Sequence, residues 1–470
     1  MGGRTRGALF KRTDLAIDLR HPYRCEEYRM TVELHMSELP FERRIDLWML
    51  DVLHRQPSSF LQVLRSLPGV FPSAALASLR RLHRADRLNA PTLRLLEYQA
   101  RSEYGPIEVD LTLPPPHPLN YEWRFTHESA QFMISEAKRR SGVHGQILML
   151  GTPGVARSAL KVRPGQGLTF LGEDNHVTRL LEAENNSVGS PITLHRCGAS
   201  LPAGFADTVL LDPPWYTDFV EKMLRTAAFA CRSDGVVLFS LAPVGTNRSA
   251  YKHRADVFSL AESYGLQLES INEAALAYET PYFEANALRA AGLGAPAVWR
   301  RADFATFRKS SGVVERTDTS STSQSQWIDL QVGRMRVFVR RSVGATVGAS
   351  AALRPLLDGD ILPTVSRHDP RREGADLWTS GNRIFKCSRP DLVIAAASLT
   401  LDEIIARGSS GPSTTLLSEI DATVRLKYKL QELATREAAE ERGLILGEET
   451  WIEKSTFQHS PNTSMGTAGG

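Results

Sequence analysis

Cysteine is scarce in this chain. Its four residues, Cys25, Cys197, Cys231 and Cys387, lie far apart with no Cys-x-x-Cys pair. That argues against a zinc cluster or a disulfide framework, and a reducing, cytoplasmic setting is the expectation. No apolar run is long enough to cross a bilayer, so no membrane partner is expected. The first residues, Met1-Gly2-Gly3-Arg4-Thr5-Arg6 and then Lys11-Arg12-Thr13-Asp14, carry no sustained apolar segment of the kind a secretory signal needs. Charge of one sign is not in excess either. Lys and Arg number 56 against 53 Asp and Glu, a net +3 that does not by itself demand nucleic acid, although local basic patches can still bind it. What is present is ordinary for a soluble globular protein: 42% hydrophobic and 23% charged residues over 470 positions, room for two to four domains.

The chain divides by composition. Residues 1–40 are mixed and unassigned. Residues 41–112 show three short helical patterns: Ile45 to Leu53, Phe60 to Leu64, and one from Pro72-Ser73 with Leu76, Leu79 and Leu82 at three-residue spacing. Thr92 to Tyr98 reads as a returning strand, so the set resembles a winged helix-turn-helix. On that reading Arg80, Arg81, Arg84 and Arg87 face phosphates of a nucleic acid; the plain alternative is a small helical packing domain with solvated arginines. Pro114-Pro115-Pro116-His117-Pro118 reads as a stiff linker.

Residues 119–312 read as an α/β core with a parallel sheet. Short apolar strands at Ile147–Leu150, Leu168–Leu171, Ile192–His195, Val209–Leu211 and Gly235–Ser240 alternate with helical patterns, and Phe304 to Lys309 reads as a final antiparallel strand. The stretch before it, with Tyr278, Tyr282, Phe283 and Trp299, is either substrate-contacting or a helical insertion whose aromatics pack. A polar linker at 313–326 precedes an α+β accessory region at 327–458, with a hairpin about Gly333-Arg334 and an apolar helix through Leu416, Leu417, Ile420, Val424, Leu430 and Leu433. That helix suits a homodimer or protein contact. A tail at 459–470 is expected to be disordered.

The residues that carry chemistry close the fourth strand. Ala206 to Leu211 runs into Asp212-Pro213-Pro214-Trp215 and Tyr216. An aspartate and nearby backbone carbonyls can accept hydrogen bonds from an amino group, the prolines fix the backbone, and the aromatics offer a flat stacking face. The plain alternative is a strand that ends in a Pro-Pro turn with a packed Trp. The tetrapeptide resembles the Asp-Pro-Pro-Trp/Tyr signature of class I S-adenosylmethionine-dependent amino-methyltransferases, whose best-known members methylate the exocyclic nitrogen of adenine in DNA or RNA. The resemblance covers about a third of the chain, roughly residues 145–310. It implies a Rossmann-like core, S-adenosylmethionine as cofactor, Asp212, Pro213, Pro214 and Trp215 as catalytic residues and Tyr216 as a substrate contact.

Cofactor residues are sought at the other strand ends. Gly151, Thr152 and Gly154 form the turn after the first strand, Glu173 or Asp174 stands about twenty residues later to take the ribose, and Cys197 follows the third strand near the adenine. The resemblance departs at Pro153, where the family turn reads Gly-x-Gly. His195 reads as a strand-end residue rather than a base. The alternatives are an aminopropyltransferase of the branched polyamine synthase type, which ordinarily has an acid where Trp215 stands, a protein amino-methyltransferase, and a non-catalytic nucleic-acid-binding regulator.

Overall fold

The computed structural model describes residues 36–102, 112–161, 167–173, 175–196, 199, 201–310, 326–341, 352–366, 369–406 and 414–446. The N-terminal segment, the polar tract at 317–325, Asp174, Cys197 and the C-terminal tail lie outside them.

Seven strands of the described residues order the centre of the molecule. They are β1 (Gln146–Leu150), β2 (Gly167–Gly172), β3 (Ile192–Arg196), β4 (Ala206–Leu211), β5 (Cys231–Leu241), β6 (Leu266–Ala277) and β7 (Arg301–Lys309). They form one sheet in the order β3-β2-β1-β4-β5-β7-β6, the inner strands buried on both faces and the edge strands β3 and β6 partly exposed. β1 to β5 run parallel, and β7 is antiparallel to both β5 and β6. Helix α5 (His127–Ser141) leads into β1, and α6 (Pro153–Leu160), α7 (His176–Ser187), α8 (Thr217–Ala230) and α9 (Ala250–Ser263) stand in the connections that follow β1, β2, β4 and β5. Apolar side chains of both sheet faces, such as Met149, Phe170 and Leu210 on one side and Leu150, Val209 and Phe239 on the other, bury into two clusters. This is an α/β fold with a mostly parallel central sheet.

The expected wing strand is a correction. Residues 41–102 form four helices, α1 (Phe41–His54), α2 (Phe60–Ser66), α3 (Pro72–Arg84) and α4 (Ala90–Ser102), which follow one another without a strand. Asn89 Oδ1 accepts from the Thr92 amide at 2.9 Å and starts α4. Leu93, Leu96 and Ala100 then bury at helical spacing, so the local alternation in Thr92 to Tyr98 yields to the three-to-four residue period. The module shares its core with Leu288, Leu293 and Trp299 of the α/β unit, and Phe71 meets Trp299 edge-on at 5.5 Å.

Two of the four arginines assigned to phosphate are structural ties. Arg81 pairs with Asp46 at 2.7 Å, joining α3 to α1, and Arg80 pairs with Glu97 at 2.6 Å, joining α3 to α4. Arg84 and Arg87 face solvent.

The proline run is not a free linker. Leu113 to Pro118 is buried. Arg124 donates to the Pro114 carbonyl at 2.6 Å, Arg334 to that of Leu113 at 3.0 Å, and His117 lies against Phe338 with ring centroids 4.2 Å apart. Carbonyls that a proline run cannot pair with its own N–H groups are satisfied here by arginines of two modules.

The C-terminal lobe is a five-stranded sheet, β10-β12-β11-β9-β8, built from β8 (Trp327–Val332), β9 (Met335–Arg340), β10 (Leu353–Pro355), β11 (Leu377–Thr379) and β12 (Ile384–Cys387). β8 and β9 form the expected hairpin, with Gly333 at φ +58°. Beyond α10 (Tyr282–Ala290) of the α/β unit, the lobe carries α11 (Pro390–Ser398), α12 (Leu401–Ala406) and α13 (Thr414–Leu446). Leu426, Leu430 and Leu433 of α13 pack inward on this sheet, whereas Leu417 is exposed. No helix of the described residues is long and apolar enough to cross a membrane.

Candidate active site

In an open parallel sheet ligands bind past the carboxyl ends of the strands, where the strand order reverses. Here the reversal falls between β1 and β4. Their register pairs Leu150 with Leu211, so Gly151 and Asp212 leave the sheet side by side, about 5 Å apart. Leu150 also pairs with Leu171, which brings Gly172 and Glu173 to the same edge.

Asp212 opens onto a cavity of ≈ 480 Å³. The Asp-Pro-Pro-Trp segment and Tyr216 line one wall, Tyr121, Trp123 and Tyr278 another, and the loop residues Thr246 to Ser249 a third. Phe71 of the helical module and Thr364, Val365 and Ser366 of the C-terminal lobe complete it. Prolines 213 and 214 have no N–H, so their backbone presents acceptors only.

A hydrogen-bond chain fixes the carboxylate. Tyr278 Oη donates to Asp212 Oδ1 at 2.7 Å and shares a hydrogen bond with Ser240 Oγ at 2.6 Å. Burial pushes the Asp212 carboxyl up to about 7, although the hydrogen bonds from Tyr278 and Ser240 oppose it. Burial, and then the Asp212 charge, hold the Tyr278 phenol well above its usual range. Trp215 meets Tyr278 edge-on at 5.9 Å, and Tyr216 meets Tyr121 edge-on at 5.0 Å. These rings pack on one another and still face the cavity.

The cofactor residues expected from sequence stand at the edge beside this cavity, outside its lining. Gly151 has φ +60°, and a Cβ there would stand 3.0 Å from Met223 Cε. Its N–H bonds the Leu171 carbonyl at 3.0 Å, so it is not a donor for a ligand. Pro153 has no N–H, which leaves the open end of α6 from Gly154 onward. Thr152 Oγ1 is buried with no hydrogen-bond partner among the described residues, and Glu173 is exposed at the tip of β2. An unsatisfied hydroxyl, a helix start and a carboxylate at one sheet edge fit an adenosyl amino acid. Asp174 and Cys197 lie outside the described residues. Gly151→Ala is expected to lower stability by about 1–2 kcal/mol through left-handed strain. Thermal melts with and without S-adenosylmethionine would measure both that loss and any loss of ligand-induced shift.

Sequence reasoning missed Tyr121, Trp123 and Arg300 as cavity residues. Beyond Asp212 to Tyr216, the lining residue that gave a signal is Tyr278, as one of the aromatics ahead of the last strand. Of the others in that stretch, Tyr282, Phe283 and Trp299 are buried packing residues, as the plainer of the two readings expected.

No protein-family model matches the chain, and no curated protein matches it. Among solved structures, the branched-chain polyamine synthase of Thermus thermophilus, in complex with N4-aminopropylspermidine and 5'-methylthioadenosine, is 14% identical with a TM-score of 0.44, over 58% of this chain and 91% of that one. A mutein of the same synthase gives 14% and 0.43 over 61% and 96%. A methyltransferase from Pyrococcus furiosus is 14% identical with a TM-score of 0.27, over 40% and 84%. Likeness at this level assigns no substrate.

Proposed function

We propose that the chain is an S-adenosylmethionine-dependent methyltransferase acting on an amino nitrogen of a flat heterocycle, with adenine of DNA or RNA as the leading substrate. The observation that carries this reading is the Asp212 carboxylate, held by Tyr278 at the β1/β4 reversal and facing an aromatic-walled cavity. Gly154, Thr152 and Glu173 would hold the cofactor, which supplies an electrophilic methyl group when bound.

Each protein group has a part in the reaction. The Trp215, Tyr216 and Trp123 rings give a planar substrate faces to lie against. Asp212 and the donor-free backbone at Pro213 accept hydrogen bonds from the amino group, which favours a nitrogen whose lone pair is localised and aimed at the methyl carbon. Methyl transfer would break the donor's sulfur–methyl bond, release a neutral thioether and leave the nitrogen positive, and Asp212 would take the departing proton. For a base within a duplex, extrusion from the stack comes first. Of the four arginines expected to meet phosphates, Arg84 and Arg87 are the two left exposed and unpaired with a carboxylate among the described residues.

Among the described residues lining the cavity, Asp212 is the one carboxylate, and both lining arginines are paired, Arg248 with Glu42 at 2.6 Å and Arg300 with Glu284. What favours this reading over aminopropyl transfer to a polyamine is the aromatic wall, which suits a flat ring rather than a flexible chain. Calorimetry with S-adenosylmethionine and its decarboxylated form, followed by labelled-methyl transfer to DNA, RNA, protein and spermidine, tests the proposal. Preference for the decarboxylated form with transfer to spermidine would contradict it.

The pH dependence follows from Asp212. The accepting form is the ionised one, so the rate is expected to rise through about pH 7 and then level. Tyr278→Phe removes a hydrogen bond to the carboxylate, and its rate profile is expected to shift to higher pH. The sign for stability is opposite. The folded carboxyl binds its proton more tightly than the unfolded one, so its contribution is full at acid pH, falls as pH rises from the usual value of 3.8 to about 7, and is gone above it.

A further inference from the structure

Arg300 stands on the wall of the same cavity, one residue ahead of β7. Its backbone carbonyl accepts from the Tyr278 amide at 3.0 Å, so its main chain is tied to the residue that holds Asp212. Its guanidinium lies 4.7 Å from the Trp299 ring centroid, 4.9 Å from that of Trp123 and 5.8 Å from that of Trp215. One of its terminal nitrogens pairs with Glu284, a fully buried side chain of α10, and the other Glu284 oxygen accepts from Trp123 Nε1 at 3.0 Å. Three indoles and one carboxylate therefore set the plane of the guanidinium.

This arrangement decides what Arg300 can offer. Glu284 matches its charge, so the cavity gains little net attraction for an anion. What remains is a rigid fork of N–H donors. Nε is buried without a hydrogen-bond partner among the described residues, so the terminal nitrogens are the donors that a ligand in the cavity can reach. The cavity thus holds an acceptor, Asp212, and a donor, Arg300, both anchored through Tyr278. The matching ligand edge is the reverse: an amino group beside a ring atom that accepts a hydrogen bond. Adenine and cytosine carry that edge, whereas a lysine side chain or a polyamine has an amine without the neighbouring acceptor.

We infer that Arg300 determines specificity by donating to the ring acceptor next to the methylated amino group. The inference rests on the methyltransferase reading above and narrows its substrate to amino-heterocycles of the adenine or cytosine kind. Arg300 positions and selects the ring, and Asp212 attends the nitrogen that reacts.

Binding of analogues tests this without turnover. The probes are adenosine, 1-deazaadenosine and 7-deazaadenosine, and cytidine with 3-deazacytidine, in which C–H replaces a ring acceptor. A second arm uses single-stranded oligothymidine carrying one adenine or one deaza-adenine, which separates a free nucleoside from a base within nucleic acid. Affinity is read by tryptophan fluorescence, which Trp123 and Trp215 report. The wild type is expected to bind the parent base about tenfold or more tightly than at least one deaza analogue in at least one arm. Arg300→Gln alone leaves Glu284 buried without its cation, so the informative variant is Arg300→Gln with Glu284→Gln, checked for folding by its melting transition. In that double variant the ratio is expected to fall to about twofold or less as the parent base weakens.

An unchanged ratio in the folded double variant would leave Arg300 as a brace for the indoles and overturn the inference, with the methyltransferase reading intact. Equal binding of parent and analogue by the wild type would do the same. If the wild type binds no probe in either arm and methylates no nucleic acid, both fail together.

Discussion

Asp212→Asn is expected to lower methyl transfer by about 10²–10³-fold while cofactor affinity changes by less than about twofold. The substitution keeps the shape and replaces one acceptor oxygen by a donor. That nitrogen would face the substrate amino group, or would meet Tyr278, whose hydroxyl donates to Asp212 at 2.7 Å in the native protein. Either way the amino group loses an acceptor at the moment its hydrogens become acidic. Asparagine also has no carboxyl to ionise, so the rise in rate through about pH 7 is expected to vanish in this variant. Relative to wild type, its folding stability is expected to improve toward pH 8, because the native protein there holds a buried charge without a paired cation among the described residues. Rate–pH profiles and melting curves of the two proteins check both statements.

Arg383→Met is expected to give the largest loss of stability, about 3–5 kcal/mol. Arg383 is fully buried and meets Asp360 at 3.0 Å and Glu440 at 2.8 Å, with Glu437 at 3.4 Å. Burial works against its charge, yet Tyr282 and these carboxylates hold its proton more firmly than usual. Removing it strands the carboxylates in the interior. Tyr282 belongs to the α/β unit and Glu437 and Glu440 to α13, so the cluster clasps the C-terminal lobe to the core. The next residue back, Asn382, donates to the carbonyls of Leu362 at 2.6 Å and Thr364 at 3.2 Å, which seats the loop that closes the cavity. Loss of the clasp is therefore expected to weaken substrate binding as well, read as a rise in KM at temperatures where the protein is still folded. Glu437→Gln should behave differently. Burial raises the Glu437 carboxyl to about 7, so its protonated form favours the fold below its usual range and that contribution is lost as pH climbs through about 7. The glutamine variant is expected to match wild type in acid and to exceed it above pH 7 in denaturant unfolding.

Some of this was legible in the sequence and some was not, for physical reasons. Four of the five parallel strands declare themselves as short apolar runs, because a strand buried on both faces needs no alternation, whereas the edge strand β3 alternates. The Asp-Pro-Pro-Trp segment is legible because it is local and its residue types have few other uses together. The helix α4 was not, since Thr92 to Tyr98 is short enough for two periods to fit, and only the Asn89 cap and the packing of Leu93 and Leu96 decide between them. The buried proline strap at 113–118 reads as a linker in sequence because its partners, Arg124, Arg334 and His117's neighbour Phe338, are scattered along the chain. Arg300, Glu284 and Trp123 share that difficulty. Their meeting depends on how β6, α10 and β7 return to the sheet, and no spacing in the sequence encodes it.

The central claim is that the tip of β4 presents hydrogen-bond acceptors to the amino group that receives a methyl. Its most direct test is the identity of the methylated atom. Wild-type protein is incubated with S-adenosylmethionine labelled at the methyl group and with DNA and RNA pools, and the products are hydrolysed and resolved by mass. The account predicts label on an exocyclic amino nitrogen of adenine or cytosine. Label on a ring carbon, a ring nitrogen or a sugar oxygen would contradict it, as would cofactor binding without transfer to either pool.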